Sequence, residues 1–283
     1  MELTKIRSFI LPKFALHIVK IYRFPISREG SGSIKATLLT SGISQKRKEV
    51  RMVSVLQCQN LVKAYGPMPA LGPVTFDVPP GRIVGLLGPN GSGKTTLIKT
   101  IAGLLVPTSG HVAINGHQPG VESKSFVSYL PERTYLSSWM KVSDAIDYFE
   151  SFYQDFSRER ALDMLSRLQV PINSHIKKLS KGTKEKVQLI LVMSRQASLY
   201  LLDEPIAGVD PAARDYILQT IISNYDRNAS IIISTHLISD VETVLDDYIF
   251  LNMGHIVAAG PVSSVREAGW PSLDQYFREA FRC

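Results

Sequence analysis

The amino-acid sequence predicts an α/β fold with a mostly parallel β-sheet, an antiparallel β edge and a helical subdomain. Short apolar runs typical of buried strands alternate with stretches of helical period. The strand runs are 82–88 (RIVGLLG), 127–130 (VSYL), 198–203 (SLYLLD) and 230–235 (SIIIST). The helical stretches are roughly 96–105, 141–170, 181–196 and 211–224. Strands that alternate with helices usually form a parallel sheet covered on both faces, and we expect such a sheet here.

The antiparallel edge and the helical subdomain come from the segments around these elements. The segments expected to form the antiparallel edge are 53–59, 74–78 and 111–115. The helical subdomain is expected at about 133–196, because residues 148–168 (YFESFYQDFSRERALDMLSRL) carry no strand signals. Residues 272–283 predict a short amphipathic helix that packs back on the body of the protein. Its apolar face would consist of Leu273, Tyr276, Phe277 and Ala280.

The positive charge of the chain lies in its first fifty residues. The formal net charge is +7. Residues 1–51 contain eleven Lys and Arg against three Asp and Glu, whereas residues 52–283 contain 21 against 22. A nearly neutral body gives no electrostatic support for binding nucleic acid, and we expect no nucleic-acid partner.

Residues 1–51 also differ in character from the predicted domain, 52–283. The segment 9–24 is apolar and basic, but Pro12 interrupts any clean amphipathic helix. Two interpretations remain open for this extension. It is either a membrane-surface or targeting segment, or a disordered or spurious stretch that the natural protein lacks. Met52 opens a strand-like run and is the expected start of the domain.

Cysteine content and hydropathy indicate the cellular setting. Cys58 and Cys283 cannot form a metal cluster with ordinary ligand spacing, and nothing pairs them into a disulfide framework. A reducing, cytosolic setting is therefore expected. No apolar run approaches the roughly 20 residues that a membrane-spanning helix needs. If the protein acts at a membrane, another chain would supply the spanning helices.

The sequence GPNGSGKTT fits the pattern G-x-x-x-x-G-K-[ST] and lies between a predicted strand and a predicted helix. Its glycines let backbone N–H groups turn towards phosphate oxygens, and the helix N-terminus adds a favourable dipole. Lys94 would contact the β- and γ-phosphates, and Thr95 would place its hydroxyl on Mg²⁺. The predicted phosphate-binding residues are Gly88, Pro89, Asn90, Gly91, Ser92, Gly93, Lys94, Thr95 and Thr96. The core is thus predicted to be that of a P-loop nucleoside triphosphatase.

Two further predicted strands end in residues suited to hydrolysis. The apolar strand 198–203 leads into two carboxylates, and ligands bind at such strand ends in open α/β sheets. Asp203 is expected to hold Mg²⁺ directly or through water, and Glu204 to orient or deprotonate the attacking water. His236 follows the strand 230–235 and is expected to contact the γ-phosphate and the same water.

Together these residues resemble the ATP-binding cassette family over roughly residues 52–262. The resemblance implies the following motifs: the aromatic A-loop position at Tyr65, the Walker A loop at 88–96, the Walker B strand with its catalytic glutamate at 201–204, the D-loop at 206–210 and the switch histidine at His236. Tyr65 would stack on adenine, although a half-buried strand residue is the ordinary alternative for this position.

The family's signature loop, usually LSGGQ, here corresponds to LSKGT at 179–183. The resemblance implies that two cassettes pack head to tail, with Ser180 and the backbone at Gly182 contacting the γ-phosphate held by the partner. Lys181 departs from the pattern, and its charge would face a triphosphate. A second departure is Glu132, which replaces the Q-loop glutamine. Its carboxylate would ligate Mg²⁺ more strongly, or slow hydrolysis by crowding negative charge near the γ-phosphate.

The resemblance implies an ATP-binding and ATP-hydrolysing transporter subunit that dimerises around ATP and drives a separate integral membrane permease. Its cofactors would be ATP and Mg²⁺. The expected location is cytoplasmic, peripheral on the inner face of the cell membrane. The signature resembles that of bacterial exporter-type cassettes, which favours export over import. The second cassette would be either an identical or a different chain.

Two alternatives remain. A soluble cassette ATPase acting on ribosomes or DNA is less favoured, because such proteins usually carry two cassettes or a long coiled-coil insertion. Co-purification of a membrane protein, as opposed to rRNA or DNA, would discriminate between these readings. A regulatory cassette with low intrinsic activity is the other alternative, and Glu132 and Lys181 keep it open.

Overall fold

The structure, a computed structural model, describes residues 54–282. Its strands are β1 (Leu56–Tyr65), β2 (Met68–Val78), β3 (Ile83–Leu87), β4 (Ser109–Ile114), β5 (Val127–Leu130), β6 (Leu199–Asp203), β7 (Ser230–Thr235), β8 (Asp247–Asn252) and β9 (His255–Pro261). Its α-helices are α1 (Lys94–Ile101), α2 (Val121–Ser125), α3 (Val142–Phe152), α4 (Arg158–Arg167), α5 (Lys181–Met193), α6 (Pro211–Ser223), α7 (Ile238–Val241), α8 (Val262–Glu267) and α9 (Leu273–Ala280). The expectations for residues 1–51, Met52 and Cys283 lie outside the described residues.

The larger sheet has six strands in the order β5-β6-β7-β3-β8-β9. All neighbouring strands are parallel except β9, which pairs antiparallel with β8. Every residue of β3, β6 and β7 is buried, as the continuous apolar runs of their sequences predict. The predicted α/β fold with a mostly parallel sheet is confirmed.

The predicted antiparallel strands form a separate sheet, in the order β2-β1-β4. A backbone hydrogen bond of 2.9 Å from Gly72 of β2 to Gly254, in the β8–β9 turn, connects it to the larger sheet. The two sheets share a buried cluster to which Leu61 of β1, Leu97 of α1 and Leu201 of β6 all belong. Helix α1, which follows the phosphate-binding sequence, is therefore packed into the centre of the core. The antiparallel edge of the larger sheet comes instead from the β8–β9 hairpin, which the sequence analysis did not single out.

The single helical stretch expected at 141–170 is two helices, α3 and α4, with a break between them. Ser157 begins α4 as its N-cap, accepting a hydrogen bond from the backbone N–H of Arg160 at 3.2 Å. In the break, the carboxylate of Asp155 pairs with the guanidinium of Arg195 at 3.0 Å. Side-chain capping and a long-range ion pair thus override the local helical pattern. None of the helices in 54–282 is long and apolar enough to cross a membrane.

The C-terminal helix α9 packs on strand β8, as expected. The ring of Phe277 lies 5.1 Å from that of Phe250, and the ring of Tyr276 lies 5.9 Å from that of Tyr248. Ala280 is exposed, contrary to the expected apolar face. The contact that it was expected to make is made by Phe281, whose ring lies 6.0 Å from that of Phe250.

Candidate nucleotide-binding site

The segment 88–93 connects strand β3 to helix α1, and close contacts require glycine at two of its positions, Gly88 and Gly93. A Cβ atom at Gly88 would collide with the carbonyl oxygen of Leu251. Gly93 has φ 105°, and a Cβ atom there would lie 2.8 Å from the carbonyl oxygen of Ala70. Only glycine fits both positions, so the backbone of this loop can turn its N–H groups outward at the start of α1.

Lys94 is buried at the start of α1. Its ammonium group donates hydrogen bonds to the carbonyl oxygens of Gly88 at 2.9 Å and Pro89 at 3.1 Å. It also lies 3.8 Å from the Glu204 carboxylate. Burial lowers the pKa of Lys94, and the negative charges of Glu204, Asp203 and Glu132 oppose that shift. The loop therefore holds a cation beside the carboxylates that end strand β6.

Asp203 ends strand β6 and is 1% exposed. Its Oδ1 atom accepts hydrogen bonds from the hydroxyls of Thr95 at 3.2 Å and Ser234 at 2.5 Å. Its Oδ2 atom is buried and has no hydrogen-bond partner among residues 54–282. Burial raises the pKa of Asp203, while the two hydroxyls lower it and the charges of Glu132 and Glu204 raise it further. An unpartnered carboxylate oxygen beside a threonine hydroxyl fits the oxygen ligands that Mg²⁺ prefers.

Glu204 and His236 are brought together from the ends of neighbouring strands. The two oxygens of the Glu204 carboxylate lie 3.1 and 3.2 Å from Nδ1 of His236. The side chain of Glu204 is 9% exposed and that of His236 is 41% exposed. The backbone of Glu204 has φ 51°, a left-handed conformation uncommon outside glycine, and its N–H donates to the Ser234 carbonyl at 3.0 Å. The largely buried Glu204 carboxylate is therefore in contact with both the His236 imidazole and the Lys94 ammonium.

Lys94 and Glu204 border an open cleft of about 440 Å³. The residues lining it are Pro69, Ala70, Asn90, Gly91, Ser92, Gly93, Lys94, Thr95, Thr96, Glu132, Glu204 and Met253. Pro69, Ala70 and Met253 were not predicted from the sequence as residues of this site. The available signal was a short connection containing Gly254 between two strand-like runs, which is typical of a hairpin.

Tyr65 and His236 are not among the residues that line this cleft. Tyr65 is the last residue of β1 and is 52% exposed. The ammonium group of Lys63 lies 5.4 Å from the centre of its ring. In the β1–β2 hairpin, Tyr65 pairs with Met68, directly before Pro69 of the cleft wall. The stacking role expected for Tyr65 stays a prediction.

The signature residues also lie away from this cleft. Ser180 is the N-cap of α5, and its hydroxyl accepts a hydrogen bond from the backbone N–H of Thr183 at 3.2 Å. A Cβ atom at Gly182 would meet nothing within 4 Å. Packing within the described part of the chain therefore does not require a glycine at 182. Ser180 and Lys181 are exposed.

Comparison with known proteins supports the same family. The ABC transporter family profile matches residues 71–207. The ABC-type transporter ATP-binding protein EcsA of Bacillus subtilis (strain 168) is 30% identical over 223 residues, covering 76% of this chain and 90% of EcsA. The SkfA peptide export ATP-binding protein SkfE of the same organism is 30% identical over 211 residues, covering 72% of this chain and 88% of SkfE.

A solved structure of the ATP-binding subunit of an ABC transporter has the same fold. It is 30% identical to this chain, superposes with a TM-score of 0.72, and matches 81% of this chain and 100% of its own length. The resemblance that the sequence motifs carry is thereby confirmed. The chain belongs to the ABC transporter family, as an ATP-binding subunit and an ATPase.

Proposed function

We propose that the cleft beside Lys94 is where this subunit binds and hydrolyses ATP. The observation that carries the proposal is the convergence of Lys94, Glu204 and His236 at the ends of three neighbouring strands. The N–H groups of the 88–96 loop and the Lys94 ammonium would bind the β- and γ-phosphates. Glu204 would accept a proton from the attacking water, with His236 beside it at hydrogen-bond distance.

The oxygen atoms next to this site would hold Mg²⁺. The proposed ligands are Thr95 and Asp203, with Glu132 on the cleft wall. The unpartnered, buried Oδ2 atom of Asp203 supports this assignment, because a buried carboxylate oxygen is costly without a cation or donor. Bound Mg²⁺ would neutralise charge on the β- and γ-phosphates. Glu132 adds a negative charge that the usual glutamine lacks, so it would strengthen metal binding at a cost in repulsion of the nucleotide.

We further propose that two cassettes close on ATP through Ser180 and Gly182. The exposed, capped start of α5 presents a hydroxyl and backbone N–H groups. Lys181 adds a positive charge at the same place. Gly182 has open space around it, which fits a close approach by a second molecule and has no explanation in contacts within the described residues. Such a helix start is suited to a phosphate held by the partner cassette.

The partner in transport would be a separate integral membrane permease, on which this subunit sits at the cytoplasmic face. The relatives EcsA and SkfE are ATP-binding proteins of transport systems, and the name of SkfE specifies peptide export. The similarity to SkfE supports export as the direction. Purification of the full chain from membranes with an integral membrane protein would agree with this proposal, whereas recovery with rRNA or DNA would contradict it.

The dimer proposal is tested with the full chain carrying Glu204→Gln, which should bind ATP without turning it over. We expect its mass in solution to change from monomer to dimer when ATP is added. Ser180→Arg in the same background should still bind ATP, since Ser180 lies away from the chain's own cleft, but should remain monomeric. A Glu204→Gln protein that binds ATP and stays monomeric would contradict closure between identical cassettes.

A further inference from the structure

The turn between β8 and β9 carries an exposed methionine at the wall of the nucleotide cleft. Met253 is 84% exposed and lines the cleft together with Pro69 and Ala70. A large apolar side chain with so little burial contributes little to the core of the unliganded protein. The exposed side chain lies instead at the wall of the proposed nucleotide site, where a ligand can contact it.

The backbone of this turn is unfavourable for methionine. Met253 and Gly254 have φ 45° and φ 80°, and they connect the paired residues Asn252 and His255. Two-residue hairpin turns with both residues at positive φ favour Asn-Gly, because asparagine tolerates the left-handed region better than methionine does. Residues held in an unfavourable backbone conformation, as Met253 is here, cluster at functional sites of proteins.

The same chain contains a turn of matching geometry with the favoured residue. Asn115 and Gly116 have φ 48° and φ 81°, and the flanking Ile114 and His117 are joined by backbone hydrogen bonds of 2.8 and 2.9 Å. That turn has Asn-Gly where the β8–β9 turn has Met-Gly. The geometry of the β8–β9 turn therefore accounts for Gly254 but not for the methionine side chain at 253.

The β8–β9 turn is fixed against the phosphate-binding loop. The N–H of Gly254 donates to the carbonyl oxygen of Ser92 at 2.9 Å, and the carbonyl oxygen of Gly254 accepts from the N–H of Gly72 at 2.9 Å. A Cβ atom built on Gly93 would lie 3.5 Å from Cα of Gly254. These contacts hold the backbone of Met253 at a set position relative to the loop proposed to bind the phosphates.

The cleft wall has an apolar part and an acidic part. Pro69, Ala70 and Met253 belong to the two hairpins that flank Gly93, whereas Glu132 and Glu204 follow the parallel strands β5 and β6. Since the γ-phosphate belongs beside Glu204, the apolar part is the place for the nucleoside. This assignment rests on the proposed nucleotide site.

We propose that Met253 is a nucleotide-binding residue whose thioether side chain packs against the base of the bound nucleotide. A flexible, polarisable methionine suits contact with an aromatic ring. The contact adds affinity for any base, because it involves no hydrogen bond that distinguishes one base from another.

The test compares ATP with inorganic tripolyphosphate, which has phosphates but no base, by calorimetry on the full chain without Mg²⁺. Met253→Asn should weaken ATP binding about three- to tenfold, from loss of the sulfur–aromatic contact. Its tripolyphosphate binding should be unchanged and its melting temperature no lower, because asparagine suits the turn. Met253→Leu keeps an apolar side chain without the sulfur, and its affinity for ATP should lie between those of the unsubstituted chain and Met253→Asn.

Asn115→Met is the matched control at the equivalent turn. It should lower the melting temperature and leave ATP binding unchanged. Unaltered ATP affinity in Met253→Asn would overturn the inference, and so would an equal loss for tripolyphosphate, which would mean that the turn acts by shaping the loop. If the unsubstituted chain bound neither ligand, the proposed nucleotide site would fail, and this inference with it.

Discussion

Replacing Asp203 by asparagine should stabilise the nucleotide-free fold while it impairs ATP hydrolysis. Asp203 is 1% exposed, and its Oδ2 atom has no hydrogen-bond partner in the described part of the chain. The nearby charges of Glu132 and Glu204 disfavour its ionised form. The hydroxyls of Thr95 and Ser234 can still donate to the amide oxygen of an asparagine. The substitution therefore removes a buried charge and keeps the two hydrogen bonds that the aspartate makes.

The size of the effect follows from the cost of burying an unpartnered polar atom. Such a group costs about 1–3 kcal/mol, and more when it is charged. The amide nitrogen of asparagine is also left without an acceptor, which returns part of that cost. We expect a net gain of about 1 kcal/mol in the free energy of unfolding, or roughly 2–4 °C in melting temperature for a domain of this size.

The difference in unfolding free energy between Asp203→Asn and the unsubstituted chain should depend on pH, and this dependence identifies the buried carboxylate as its cause. Burial raises the pKa of Asp203 in the folded protein above its value in the unfolded chain. The folded protein consequently binds the Asp203 carboxyl proton more tightly than the unfolded chain does. The loss of stability caused by the ionised carboxylate is therefore present above the pKa of Asp203 in the folded protein, and it disappears as the pH falls through that pKa. The advantage of Asp203→Asn should be largest near neutral pH and should shrink on acidification.

The assay is denaturant unfolding of the nucleotide-free full chain in EDTA, repeated as the pH is lowered from about 7.5. The stability advantage of Asp203→Asn should decrease as the pH falls through the raised pKa of Asp203 in the folded protein. Asp247→Asn is the matched control, because Asp247 accepts hydrogen bonds of 2.7 and 2.8 Å from the Arg82 guanidinium. That control should lose stability. A loss of stability in Asp203→Asn at neutral pH, or an advantage that grows on acidification, would refute the reasoning.

Three further substitutions test other parts of the account. Lys94→Ala should greatly weaken nucleotide binding or hydrolysis in equilibrium-binding and ATPase assays. Lys99→Ala, on the same helix, should have no such effect, and unchanged ATPase activity in Lys94→Ala would contradict the site. Tyr65→Ala should weaken ATP binding by about 1–3 kcal/mol while Tyr65→Phe retains it, and equal affinity in both would remove the stacking role. Arg195→Ala should lower the free energy of unfolding by about 3–5 kcal/mol, because it leaves the partly buried Asp155 carboxylate unpaired. An almost unchanged free energy in denaturant unfolding would contradict this.

The fold class and the grouping of the strand-end residues were predictable because their signals are local. Each of the strands β3, β6 and β7 is a short apolar run followed directly by loop, carboxylate or histidine residues. Parallel strands bring such ends to one edge of the sheet. This is why Lys94, Glu204 and His236, far apart in sequence, are neighbours in the structure.

Features that depend on long-range contacts were not predictable in this way. The break before α4 depends on Asp155 meeting Arg195, whose guanidinium also donates to the carbonyl oxygen of Val127 at 2.6 Å. The position of Met253 depends on the hydrogen bond from Gly254 to Ser92. Neither partner can be identified from the pattern of neighbouring residues. The separation of β1, β2 and β4 into their own sheet is likewise decided by pairing between distant segments.

The measurement that tests the central claim most directly is ATP binding and hydrolysis by the full chain and its Glu204→Gln variant, each with Mg²⁺. We expect the unsubstituted chain to hydrolyse ATP, and the variant to bind ATP with similar affinity but hydrolyse it far more slowly. Normal turnover in Glu204→Gln would contradict the assignment of Glu204 as the group that activates the attacking water.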